Sequence, residues 1–253
     1  MIVCKSPAEL DKMRAANQLV ARILEELAAM VAPGVSTADL DAAAESKVRA
    51  AGAEPAFKGY RGYPATLCAS VNEQVVHGIP NKAPLKAGDI VSLDMGVKLN
   101  GYFGDSAVTV PVGAVGEDVS RLLQVTQEAL ERGIAQVKLG GRISDIGHAV
   151  QTYVEENGFS VVREFVGHGI GAALHEEPQI PNYGEPGRGP RLAEGMTLAI
   201  EPMVNVGKPA VKVLSDGWTA VTKDGSLSAH FEHTVAVTKN GPDVLTARQP
   251  VAR

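Results

Sequence analysis

The strongest constraint in this sequence is that it repeats itself. The stretch "SPAELDKMRAANQLVARILEELAAMV" (6–31) sets Leu10, Met13, Leu19, Ile23, Leu27 and Val31 close to one stripe of a helix. Ser6, Pro7 and Glu9 supply its start, resembling a capping box, and "APGV" ends it. A second helix is predicted over "STADLDAAAESKVRAAG" (36–52), opened by Ser36 or Thr37 and stopped by Gly52. About 106 residues later the order returns as "GEDVSRLLQVTQEALERGIAQVKLGG" and "RISDIGHAVQTYVEENG". The strand-like run "LKAGDIVSLD" (85–94) then lies over "LAEGMTLAIE" (192–201), so that Asp94 falls on Glu201. Two copies are too few for a solenoid. They point instead to an α+β fold of two helix-helix-strand-strand halves related by a pseudo-twofold axis. Helices would cover one face of a curved, mainly antiparallel sheet and leave the other face for a site. One domain over residues 1–253 is expected, with the repeat at roughly 5–110 and 115–238.

The run "LDMGVKLNGYFGD" (93–105) carries the next constraint. Asn100-Gly101 is a two-residue hairpin turn signal. With that pair at the turn, Leu99 faces Tyr102, Val97 faces Gly104 and Gly96 faces Asp105. Alternation then puts Asp94 on the face of Asp105, roughly 7 Å away on the diagonal. Two partly buried carboxylates that close need either a proton or a cation. The hairpin offers only Lys98, near its turn, so a divalent metal is the better partner.

The second half supplies matching groups. Glu201 ends a strand, Glu232 sits inside the apolar "HFEHTVAV", and His168 lies between glycines in "FVGHGIG", where backbone can approach a ligand closely. Singly, each has a plainer explanation: a solvated hairpin aspartate, a turn histidine, a glutamate closing a strand before Pro202. Glu232 resists that treatment, since a buried glutamate is rare without a partner. Four carboxylates and one imidazole suit two hard or borderline cations, such as Mn, Fe, Co or Zn, sharing bridging carboxylates. His77 ("HGIP") and His175 ("HEEP") occupy corresponding places in the halves. His148 is expected on an exposed helix face. His230 and His233 flank Glu232, and spacing alone assigns neither as a ligand.

Composition narrows the class. A net charge of −5 gives no bulk electrostatic reason to bind nucleic acid or a membrane. Two cysteines, Cys4 and Cys68, are too few for a disulfide framework and favour a reducing compartment. The first residues become charged at once and lack a long apolar run, so a cytoplasmic location is expected.

The segments "GYRGYPATLCASVNEQVVHGIP", "GDIVSLDMGVKLNGYFGD", "GHGIGAALHEEPQIPNY", "GMTLAIEPMVN" and "DGWTAVTKDGSLSAHFEHTVAVT" together resemble methionine aminopeptidases of the short bacterial type I class, M24 metallopeptidases of the pita-bread fold. The resemblance covers nearly the whole chain. It implies removal of the initiator methionine from nascent polypeptides when the next residue is small. Implied metal ligands are Asp94, Asp105, His168, Glu201 and Glu232, with Asp105 and Glu232 bridging. Implied cofactors are two divalent ions (Co, Mn, Fe, Zn or Ni). His77, His175 and Glu201 would be catalytic: His175 stabilising the oxyanion, Glu201 carrying a proton, and His77 near the leaving nitrogen. Tyr60, Tyr63, Cys68 and Trp218 match methionine-pocket positions, joined by His77 and His175 in binding substrate. Phe57 and Leu174 depart from the pattern, standing where a cysteine and an aromatic are common. Asn72 and Ser228 match a monovalent-cation site. The resemblance further implies a monomer that associates transiently with the ribosome, with no nucleic-acid readout and no membrane. Because the chain begins Met1-Ile2 and Ile is bulky, it is expected to keep its own Met1; an intact mass short by one methionine would contradict this. The rivals are a proline-directed peptidase of the same fold, whose usual extra N-terminal domain has little room here, and a binding module that has lost its metal ligands.

Overall fold

Helix α1 (Pro7–Met30) begins where the sequence predicts. The Glu9 carboxylate accepts from the backbone N–H and the hydroxyl of Ser6 at 2.8 and 2.7 Å, with Pro7 in the first turn. Its buried stripe includes Met13, Leu19, Ile23 and Leu27, while Leu10 and Val31 are half-buried at its ends. Helix α2 (Thr37–Ala50) is capped by Ser36, whose Oγ accepts from Asp39 N at 3.2 Å. Helices α3 (Glu117–Ile134) and α4 (Ile143–Glu156) repeat the pair and meet closely at Gly133, where a Cβ would stand 2.8 Å from Val150 Cγ2. The computed structural model describes residues 1–247, so 248–253 of the expected domain lie outside the described residues.

Each helix pair closes its own core. Leu27, Leu40 and Val48 pack with Val91, Leu93, Met95 and Val97 of the first half. Leu122, Leu130, Ile146 and Val150 pack with Leu198, Ile200 and Val235 of the second. Burying each such Leu or Ile contributes about 1.5–3 kcal/mol, so both halves have a hydrophobic drive of their own.

The architecture is α+β, with four helices packed on antiparallel sheet among the described residues. The sheet is divided into four ladders. The long hairpin of Ile90–Leu99 and Tyr102–Pro111 carries Glu54–Pro55 and Cys68–Val71 on the first of these arms. In the second half, Gly241–Val244, His233–Thr238, Thr197–Ile200, Gly167–Gly169 and Glu176–Ile180 follow one another across a five-stranded ladder. Two three-stranded ladders complete it, one of Ser228–His230, Met203–Asn205 and Ser160–Val161, the other of Val211–Val213, Ala220–Thr222 and Gln74–Val76. An isolated bridge between Ala107 and Glu232, together with a Phe103 N–H to Gly171 O hydrogen bond of 2.8 Å, joins the hairpin to the second half.

Candidate metal centre

The hairpin forms in the register the sequence predicts: Leu99 opposite Tyr102, Val97 opposite Gly104, Gly96 opposite Asp105. Asn100 and Gly101 take φ of 53° and 84°, the left-handed pair that a two-residue turn needs. The arms are more buried than a half-exposed hairpin. From Ile90 to Val97 only Asp94 escapes full burial, because helix α1 covers one face and the second half covers much of the other. Asp94 opens instead on a recess of about 690 Å³, its mouth included.

Asp105 is fixed through its backbone. Its N–H donates to Asn17 Oδ1 of α1 at 3.2 Å, and its carbonyl accepts from Thr234 Oγ1 at 2.8 Å. Next to it, Ser106 Oγ donates to the Glu232 carbonyl at 2.7 Å, and Glu232 N donates to Ala107 O at 3.0 Å. The two carboxylates are thus clipped together across the seam between halves. His168 sits where only glycine neighbours fit: a Cβ on Gly167 would lie 2.3 Å from Ala199 O, and one on Gly169 2.2 Å from Glu177 O. Its Nδ1 is 2.9 Å from Gly169 O, which puts the ring proton there and leaves the Nε2 lone pair facing the recess. Nε2 is 3.6 Å from Glu201 Oε1 and 4.0 Å from Asp105 Oδ2. Glu201 is held by its carbonyl, which accepts from Asn182 Nδ2 at 3.0 Å.

Asp105, His168 and Glu232 each offer one atom to a cluster within 4.8 Å, and Asp94 and Glu201 line the same recess. Electrostatics mark the cluster as short of positive charge. Burial, then the charge of Asp105, pushes Asp94 far above the usual carboxylate range. Burial first, then the neighbouring carboxylates, does the same to Glu201 and Glu232, while burial lifts Asp105 to about 7. Among the described residues no lysine or arginine pairs with any of the four. Burial pulls His168 down to about 3, keeping its imidazole neutral, as ligation requires. Asp105 Oδ1 and Glu232 Oε1 are buried without a hydrogen-bond partner. Orphaned carboxylate oxygens beside a neutral imidazole fit divalent cations of the hard or borderline kind.

The other sequence-selected residues form the mouth. His175 Nδ1 is 2.9 Å from the Tyr60 hydroxyl, and the two rings stack at 5.2 Å. His77, at φ 60°, stands edge-on to Phe165 at 5.4 Å and to Trp218 at 6.2 Å. Burial lowers His77 to about 4. The Tyr63 hydroxyl lies 3.1 Å from Leu67 O and 3.0 Å from Gly78 O, which turns its ring edge toward Trp218 at 5.2 Å. Cys68, opposite Asp94 in the ladder, is buried against Tyr63. Phe57 and Leu174 also line the recess. Asn72 and Ser228 do not. They meet elsewhere, Ser228 N donating to Asn72 O at 3.0 Å, with Ser228 Oγ buried and unpartnered.

Three residues near the site carry no sequence assignment. Arg61 lines the mouth and Phe165 packs on His77. His230 is buried beside Glu201, its Nε2 3.7 Å from Glu201 Oε2. Strand alternation was the available signal, since residues 230 and 232 share a face while Phe231 turns into the core. His148 is exposed, as expected.

The sequence profile of metallopeptidase family M24 matches residues 11–239. Methionine aminopeptidase 1 of Bacillus subtilis (strain 168) is 57% identical over 246 residues, spanning 97% of this chain and 99% of its own. The crystal structure of a methionine aminopeptidase from Thermotoga maritima superposes with a TM-score of 0.96 at 49% identity, covering 98% of this chain and 100% of that one. That of a methionine aminopeptidase from Rickettsia prowazekii does so with a TM-score of 0.96 at 44% identity, with the same coverage.

Proposed function

The chain belongs to metallopeptidase family M24, with its pita-bread fold, and on that footing we propose that it is a methionine aminopeptidase. Its substrates are nascent polypeptides, from which it removes the initiator methionine when the second residue is small. The observation that carries this reading is the meeting of four carboxylates and a neutral histidine at the floor of a recess walled by Tyr60, Tyr63, Cys68 and Trp218.

Asp94, Asp105, His168, Glu201 and Glu232 would hold two divalent cations, Asp105 and Glu232 serving both. Such a pair, when bound, supplies Lewis-acid activation of water and of the scissile carbonyl, and an anchor for the free amino terminus. The chain's own groups do the rest. Tyr63, Cys68, Trp218, Phe57 and Leu174 exclude water and receive a thioether side chain. A Tyr60 hydroxyl donating to His175 Nδ1 leaves the imidazole proton on Nε2, free to donate to the carbonyl oxygen as it gains charge. Glu201, kept ionised by the cations beside it, takes a proton on a carboxylate oxygen and returns it to the leaving nitrogen. His77 lies near that nitrogen and steadies it.

The reading extends to a cytoplasmic monomer that visits the ribosome transiently, and to a monovalent cation near Asn72 and Ser228. Among the described residues no helix is long and apolar enough to cross a membrane. Turnover of Met-Ala-Ser after chelation, with Mn, Co, Fe, Zn or Ni restored singly, tests the proposal. Metal-dependent release of methionine, with an Xaa-Pro peptide left intact, is expected. Failure to release methionine with every ion would overturn it.

A further inference from the structure

His230 has no part in the mechanism above, yet its placement is not casual. It is 1% exposed, and neither ring nitrogen has a hydrogen-bond partner. A buried imidazole left wholly unpaired is rare enough to need a reason. Its backbone is clamped from the other half of the molecule: Thr109 Oγ1 accepts from His230 N at 2.8 Å and donates to His230 O at 2.7 Å. Ser92 Oγ, at 2.8 Å, secures that threonine hydroxyl. The ring so held stands behind Glu201 and outside the recess lining. Glu201 lies between two imidazoles, with Oε1 3.6 Å from His168 Nε2 and Oε2 3.7 Å from His230 Nε2. Moving about half an ångström closer brings the latter pair within hydrogen-bond reach.

We propose that His230 is a positioning residue for Glu201. Its Nε2–H holds Oε2, so that the carboxylate cannot swing about its last torsion and Oε1 is presented to the metal side next to His168. A terminal carboxylate torsion is otherwise broad, so a fixed donor behind it sets which oxygen faces the site. The proposal rests on Glu201 being a metal ligand and proton carrier, as read above.

His230→Leu keeps the volume and removes the N–H, while His230→Gln restores a donor of similar reach. Chelated proteins would be titrated with Mn²⁺ by calorimetry, and Met-Ala-Ser turnover followed in Mn²⁺. H230L is expected to bind Mn²⁺ about 10-fold more weakly and to lose about 10- to 100-fold in kcat. KM should stay within about 2-fold, and H230Q should recover most of both losses. In a Glu201→Ala background, which leaves His230 no acceptor to hold, H230L should change Mn²⁺ affinity no further. Should H230L not fold, His230→Asn, whose amide is too short to reach Glu201, is expected to show the same losses. Wild-type behaviour in H230L, no rescue by a folded H230Q, or an undiminished effect in the Glu201→Ala background would each overturn the proposal. A wild-type protein that binds Mn²⁺ yet releases no methionine sinks the reading of the reaction alone, and the Mn²⁺ affinities of the variants still decide the part played by His230. One that binds no Mn²⁺ overturns both.

Discussion

Tyr60 shows how much one hydroxyl can decide. Its ring walls the mouth of the recess and its oxygen meets His175 Nδ1, so packing and hydrogen bonding are separable. Tyr60→Phe keeps the wall and loses the bond. Steady-state kinetics on Met-Ala-Ser should show kcat down about 10-fold with KM within about 2-fold. Glu232→Gln acts differently, removing a buried anionic oxygen from between the two lobes. Metal analysis should find less than the full complement of ions, and turnover should fall at least about 100-fold. Glu232 was legible because a carboxylate inside an apolar strand demands a partner, Asp94 and Asp105 because one hairpin register put them on one face, and Glu201 because it falls on Asp94 in the repeat. His230 was not, because a histidine beside a glutamate has many innocent explanations until its neighbour across the fold is known.

At the level of elements, the hairpin and the helices were readable and the ladders were not. Asn100-Gly101 fixed one turn type, and strict alternation left one register. Helical periodicity and local caps gave α1 and α2 nearly to the residue. The second half is built of strands as short as Gly167–Gly169 and Met203–Asn205, paired with distant partners, and three residues carry too little pattern to announce a register. What makes the elements fit is close approach. A Cβ on Gly104 would stand 2.7 Å from Ala16 C and 2.8 Å from Asn17 N of α1. Gly104→Ala must therefore push the hairpin arm off the helix, costing about 1–3 kcal/mol. It should also disturb the Asn17 contact that fixes Asp105. Chemical denaturation and Mn²⁺ titration of the variant should report both losses together.

For the whole molecule, the buried charges set a pH dependence whose sign can be worked out. Without metal, burial and mutual repulsion hold Asp94, Glu201 and Glu232 far above the usual range, and burial holds Asp105 at about 7. The unfolded chain has released those protons by about pH 5. The folded state thus binds more protons, and its stability falls as pH rises toward these elevated values. The histidines act in the opposite sense. Burial lowers His168 and His230 to about 3 and His77 to about 4, so their contribution grows as pH rises and is complete above about 6.5. Calorimetry of the chelated protein should therefore show Tm decreasing from about pH 6.5 to 8.5, and Mn²⁺ should flatten that slope while displacing protons. A rising metal-free Tm across that interval would contradict the account.

The bridge between Ala107 and Glu232 has a consequence for how such a chain comes into being. Synthesis delivers Asp94 and Asp105 long before His168, Glu201 and Glu232 exist. On the proposed ligand set, a half-made copy is expected to be inert, since it holds two aspartates and none of the later ligands. Competence arrives only when the late segments dock on the early ones, so the finished shape acts as its own licence.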